Sequence, residues 1–213
     1  MRTRLVSSFL FAVSLAIVLA PIGLPVEAAQ VLQIVEAGPD LYCLFSSECT
    51  VTRTNTQAMF ALEDTAGYGV LHTSTFKAAP GSPADGWWGY EYQIDLGGVE
   101  SILALNCIDA MRLPVGGASV LFDLDGNGTP GEQVYLVGDG APGPTFALRD
   151  HADVTFFFDP PVCAGQASVT IGVVVARPPH GVLADLQPEQ GIVVQVGVRA
   201  PEYGQTVLFN KFT

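Results

Sequence analysis

Trp87–Leu96, WWGYEYQIDL, alternates strictly over ten residues. Trp88, Tyr90, Tyr92, Ile94 and Leu96 fall on one side. Trp87, Gly89, Glu91, Gln93 and Asp95 fall on the other. A period of two with one apolar face marks a half-buried antiparallel strand. Gly97-Gly98 ends it.

Working outward, similar short stretches recur between Gly and Pro punctuation. Val31–Glu36, Thr50–Thr54, Met59–Leu62 and Gly67–Phe76 read as strands before this one. Ile102–Leu113, Val120–Leu124, Gln133–Val137, Val154–Phe158, Ser168–Ala176, Gly191–Arg199 and a short Val207–Phe209 follow it. Pro160-Pro161 is read as the stop of the aromatic strand Val154–Phe158. AAPGSPADG (78–86) and GDGAPGP (138–144) read as loops. Beyond the N-terminal segment no stretch keeps a 3.6-residue apolar period, and no fixed repeat is present. The expected fold is all-β, an antiparallel, jelly-roll-like β-sandwich.

The first 28 residues are expected to be a secretory signal peptide. Arg2 and Arg4 are basic, Leu5–Ala20 is uncharged and apolar, and Val26-Glu27-Ala28 offers a cleavage site after the Pro21 and Pro25 breakers. Residues 29–213 then form a single β-sandwich domain, exported to the periplasm or beyond the cell. The 213-residue chain carries 21 acidic against 9 basic residues, a net charge of −12. Such a chain repels phosphate backbones and anionic lipid, which argues against nucleic acid and, after signal cleavage, membranes as partners. Its 49% apolar content argues for a folded core.

Cys43, Cys49, Cys107 and Cys163 suit an oxidising compartment. Four cysteines allow three pairings, and sequence alone does not choose among them. A Cys43–Cys49 staple around LFSSE is favoured, with Cys107–Cys163 then closing a long loop. No CxxC pair or neighbouring histidine supports zinc.

The densest gathering of oxygen ligands is in VLFDLDGNGTPGEQVYLV (120–137). Asp123, Asp125 and Asn127 stand at alternate positions, Thr129 offers a carbonyl, and Glu132 lies downstream. Calcium takes six to eight oxygen ligands, so this is the expected Ca²⁺ site. It is not an EF-hand. The closing acid of that loop would fall at Val134, Gly131 replaces its ninth-position ligand, and no helix frames it. The same Asp-Gly and Asn-Gly dipeptides also serve a plain hairpin turn.

Trp87, Trp88 and Tyr90 are the candidate carbohydrate platform, although strand aromatics are core by default. No catalytic residue is assigned. His72, His151 and His180 are scattered, and the chain holds no GxSxG, HExxH or P-loop.

Gly81-Ser82-Pro83, Tyr90-Glu91-Tyr92, Ile94-Asp95-Leu96, Cys107, the DLDGNG loop (123–128) and Pro160-Pro161-Val162-Cys163-Ala164-Gly165 together resemble a group of uncharacterised exported bacterial proteins. The loop resembles DxDGNG calcium loops between strands of such proteins. The resemblance implies a secreted β-sandwich with Cys107 bonded to Cys163, and carries no activity. The expected function is a secreted, non-catalytic surface or extracellular binding module, with a glycan or cell-surface protein as partner. The alternatives are a glycan-active hydrolase using acidic residues, and a structural envelope component.

Overall fold

The computed structural model describes residues 29–101, 106–116, 121–138 and 142–201. The signal-peptide reading, the Val207–Phe209 strand and parts of the Ile102–Leu113, Val120–Leu124 and GDGAPGP readings lie outside the described residues.

The described chain is almost entirely β, with no α-helix. Its strands are β1 (Gln30–Glu36), β2 (Thr54–Phe60), β3 (Thr65–Gly67), β4 (Gly69–Lys77) and β5 (Trp88–Asp95). Then come β6 (Val99–Ser101), β7 (Cys107–Pro114), β8 (Leu121–Phe122), β9 (Gly131–Val137) and β10 (Pro144–Asp150). β11 (Asp153–Cys163), β12 (Thr170–Val175), β13 (His180–Pro188) and β14 (Val194–Ala200) complete them. A 3₁₀ segment, Pro39–Leu44, follows β1.

Instead of two separate jelly-roll-like sheets, the main strands form one hydrogen-bonded path, β14-β13-β7-β11-β10-β1-β9-β12-β5-β4-β2. β1 joins its two halves. Gln30–Leu32 pairs antiparallel with β10, and Gln33–Glu36 pairs parallel with β9. At the far ends β14 packs against β2 and β4, so the sheet is a nearly closed barrel. β8 pairs with β9, and β3 with β6 forms a separate ribbon.

The alternating strand sits as its sequence dictates. Tyr90, Tyr92, Ile94 and Leu96 are buried in the central core with Leu71, Met111, Phe156, Val173 and Val198, and Trp88 packs against it. The buried tyrosines keep their hydroxyls paired, Tyr90 donating to the Arg177 carbonyl at 2.5 Å and Tyr92 to that of Arg199 at 2.8 Å. Burial pushes both phenols up.

The β9-β12-β5-β4 half is covered on its outer face too. Leu41 and Phe45, from the 3₁₀ segment and its end, close a second core over Phe76, Tyr135 and Val174. The Cys43–Cys49 disulfide staples that segment. The loop after β4 docks on it through Ala79 N–H to the Phe45 carbonyl, 2.8 Å, and Ala84 N–H to that of Leu44, 2.9 Å. Gly172 is required here by close approach: a Cβ would stand 1.9 Å from the Tyr135 ring.

Pro160-Pro161 does not stop its strand. β11 runs on to Cys163, and the prolines fall where its register to β7 shifts, between Phe157 and Val162. A bulge leaves residues unpaired, so no ladder donor is lost. Beyond it Cys163 sits opposite Cys107 and is bonded to it.

Candidate functional site

Among the described residues, no second core covers the outer face of the other half, β10-β11-β7-β13. Cross-strand register sets what stands there. Phe146 lies opposite Phe157, Phe157 opposite Ala110, and Ala110 opposite Gln187. In the next row Thr155 faces Arg112, and Arg112 faces Asp185. Phe146 and Phe157 stack 4.5 Å apart at 11°, with Phe146 43% exposed. Ala110 is short between Phe157 and Gln187. The result is a groove of about 460 Å³ lined by Phe157, Ala110, Gln187, Thr155, Arg112 and Asp185, with Asp109 and Val193.

Asp109 reaches this groove because of a bulge. β7 shifts register against both neighbours between Ile108 and Ala110, so Asp109 pairs with neither. A bulge re-aims a side chain, and here it puts Asp109 beside Ala110 in the lining. Its Oδ1 is buried and has no hydrogen-bond partner. Such an oxygen destabilises the protein by about 1–3 kcal/mol unless something donates to it.

Comparison with protein-family models, curated proteins and solved structures finds no match.

The groove's cation is already committed. Arg112 donates to Asp153 through both Nε, at 2.9 Å, and Nη2, and its Nη1 lies 3.9 Å from Asp185. The bond to Asp153 raises the guanidinium pKa most. Desolvation opposes it, and the charges of Asp153, Asp185 and Asp150 add to it. Asp185 also accepts from Gln195 Nε2 at 3.0 Å. Among the described residues two buried carboxylate oxygens have no donor, Asp109 Oδ1 and, away from the groove, Glu132 Oε2.

The structure does not bring Trp87, Trp88 and Tyr90 into one open platform. Tyr90 is fully buried, Trp88 leans on the central core, and Trp87 packs edge-on to Phe122 in the second core at 5.3 Å. Physically, Trp87 and Trp88 leave opposite faces of the sheet, and both faces there are covered.

The DLDGNG segment connects β8 to β9 as a turn that binds itself. Asp123 accepts from Asn127 N–H at 3.1 Å and Gly128 N–H at 2.9 Å. Asp125 accepts from Asn127 N–H at 3.2 Å, Asn127 Nδ2 at 2.9 Å and Gln33 Nε2 at 3.3 Å. Asn127 Oδ1 accepts from Thr129 N–H at 2.7 Å. Gly126 and Gly128 take left-handed φ of 69° and 84° to make the curl. Desolvation is the largest single influence on the Asp125 carboxyl and raises it, but the Asn127 N–H and the Gln133, Asp123 and Gln33 side chains together hold it below its usual range. Glu132 turns away from the loop, its Oε1 3.0 Å from Arg149 Nη1. Among the described residues no group of three or more His, Cys, Asp or Glu side chains is placed to hold a metal ion.

The histidines stay apart. His72 lies 3.5 Å from Asp95, and His151, at the β10–β11 turn, contacts Asp150. The groove was missed in sequence because its signal is faint. Alternation in VTFFF places Phe157 outward between inward Phe156 and Phe158, but nothing local announces the bulge at Asp109.

Proposed function

We propose that the chain is an exported, non-catalytic binding module whose ligand face is the bare outer face of the β10-β11-β7-β13 half. The observation that carries this reading is the groove of about 460 Å³ on that face, where Phe157 stands beside Thr155, Arg112, Asp185 and Gln187. Pockets that bind are concave, of roughly 300–1,000 Å³, with a few convergent polar groups. The two disulfides fit an oxidising compartment. Among the described residues no helix is long and apolar enough to cross a membrane. In this reading the two halves of the barrel act as the two faces of a sandwich, one capped and one offered to ligand, in keeping with the resemblance to exported β-sandwich proteins.

A hydrolase would need two carboxylates with separate acid and base roles. Asp185 is held by Arg112 and Gln195, which leaves Asp109 without a free partner acid. An envelope component built by strand addition would use the outer edges of β14 and β2, which pack against each other without hydrogen-bonded pairing. A hydrolysis screen over neutral and acidic polysaccharides is expected to show no turnover. Turnover abolished by Asp109→Asn or Asp185→Asn would overturn the non-catalytic reading in favour of the hydrolase, and self-assembly of the purified protein would favour the structural component.

Calcium at the β8–β9 loop belongs to the same proposal. Asp123, Asp125 and Asn127 gather side-chain oxygens around one turn, and Thr129 adds a carbonyl, while Glu132 does not fit the set. Calcium there would exchange N–H donors for the ion. At about 2 mM calcium and a ~0.1 mM site, the melting temperature is expected to rise by a few degrees. Asp125→Ala should abolish the rise, and magnesium should substitute poorly because it demands stricter octahedral geometry. Coincident melts of wild type and Asp125→Ala, with and without calcium, would leave the loop a plain hairpin turn.

A further inference from the structure

We infer that Asn127 is a self-modification site: its side chain deamidates through attack by the Gly128 backbone nitrogen, and Asp123 holds that reaction back in the folded protein. Asn127 is the chain's only asparagine followed by glycine. Both residues are exposed, and the space where a Gly128 side chain would stand is empty. A succinimide ring can close there with no steric barrier from the next side chain. Gly128 N loses its proton to solvent and bonds to Asn127 Cγ. The Cγ–Nδ2 bond breaks, and Nδ2 takes up a proton and leaves as ammonia. Water then opens the succinimide at either carbonyl, giving aspartate or isoaspartate at 127. The chemistry needs neither a ligand in the groove nor calcium in the loop.

The loop's own bonds set the rate. Gly128 N–H donates to Asp123 Oδ2 at 2.9 Å. Ring closure puts Cγ where that N–H bond now points, and the carboxylate occupies the place. Its negative charge also opposes loss of the Gly128 proton. The Asn127 amide is tied at both ends, Nδ2 to Asp125 Oδ2 at 2.9 Å and Oδ1 to Thr129 N–H at 2.7 Å. Of these contacts, the one from Asp123 touches the nucleophile itself. An aspartate product adds a third carboxylate to Asp123 and Asp125 at alternate positions. An isoaspartate product lengthens the backbone of a turn that the pairs Leu121–Glu132 and Phe122–Gly131 anchor.

The test incubates the purified protein at neutral pH and follows residue 127 by peptide mass mapping and an isoaspartate assay. Asn55, also exposed but followed by Thr56, is the internal control. Wild type is expected to convert at 127 and not at 55, to give both products, and to convert faster in urea than folded. Asp123→Ala should speed conversion of the folded protein about tenfold, the worth of one hydrogen bond to a charged acceptor. Asp123→Asn, which keeps an acceptor without the charge, should fall between. Thermal melts confirm that both variants are folded at the incubation temperature. Asn127→Gln, whose longer side chain closes a less favoured ring, should suppress conversion. Equal rates in folded wild type and Asp123→Ala, or in folded and unfolded wild type, would overturn the restraint by Asp123. Aspartate without isoaspartate would overturn the succinimide route, and an unmodified Asn127 in urea would overturn the site itself.

Discussion

Replacing Cys107 and Cys163 together by alanine is expected to lower stability by roughly 4 kcal/mol, the loop-closure entropy of a cross-link of this span. The bond joins residues 56 apart, directly opposite each other in β11 and β7. Cys43–Cys49 spans only 6, and the same relation gives about 2 kcal/mol for it. Urea unfolding of the two double-alanine variants should order them in that sense. The effect at Cys107–Cys163 has a local side as well. Both prolines of β11 and the bulge at Asp109 lie beside it, in a stretch where the β7–β11 ladder is interrupted. The covalent bond holds the strands together where hydrogen bonds do not. A loss below about 1 kcal/mol would mean that the reduced, unfolded chain is already compact there.

Glu91→Ala is expected to lower stability by about 2 kcal/mol, below the ~3–5 kcal/mol for breaking a fully buried ion pair because Arg53 is 33% exposed and its charge stays partly solvated. Glu91 is 5% exposed beneath the second core. It accepts from Arg53 Nε at 3.1 Å, from the Tyr42 hydroxyl at 2.8 Å and from that of Tyr135 at 3.4 Å. Removing it strands all three donors, with the Arg53 guanidinium still lying over the Tyr42 ring at 4.6 Å. A double variant, Glu91→Leu with Arg53→Met, should recover part of the loss, because no charge is then left unpaired. Recovery no better than the single change would show that packing, not charge, dominates.

The same cluster gives the protein an alkaline limit. Burial first, then the bond to Glu91 and its charge, push the Tyr42 phenol up to about 12. An unfolded tyrosine ionises near 10. The folded value is raised, so its contribution is fully present below pH 10 and is lost as pH rises through 12. Stability measured across that window should fall, and less steeply in Tyr42→Phe.

Which of these features could be read beforehand follows a physical division. Where a single strand carried its own pattern, as in WGYEYQID, the inward set was legible residue by residue. The disulfide pairing favoured from the local Cys43–Cys49 loop is the one observed. Glu91 was not legible as buried, since alternation put it on the polar face and the layer covering it comes from the 3₁₀ segment. β10 and β13 were overlooked. PTFALRD and HGVLADLQP contain Pro, Ala, Asp and Gln, which have low intrinsic strand preference and become strand only because neighbours pair with them. Asp109 belongs to the same class, because a bulge is a mismatch between two strands and neither sequence alone records it.

The sharing of β1 between the two halves sets the order in which the barrel can close. Its partners are Gln133–Leu136 on one side and Ala147–Arg149 on the other, about a hundred residues further along the chain. A polypeptide synthesised N-terminus first delivers β1 early and its neighbours late. Until they arrive, QVLQIVE is an unpaired apolar strand that a chaperone can hold and a stray edge can capture. Later hairpins, β10 with β11 and β13 with β14, can zip as soon as they emerge. The seam at β1 must wait for both halves and closes the longest loops of any hydrogen-bonded strand pairing described. That separation in sequence makes the seam, rather than any hairpin, the slow step of folding.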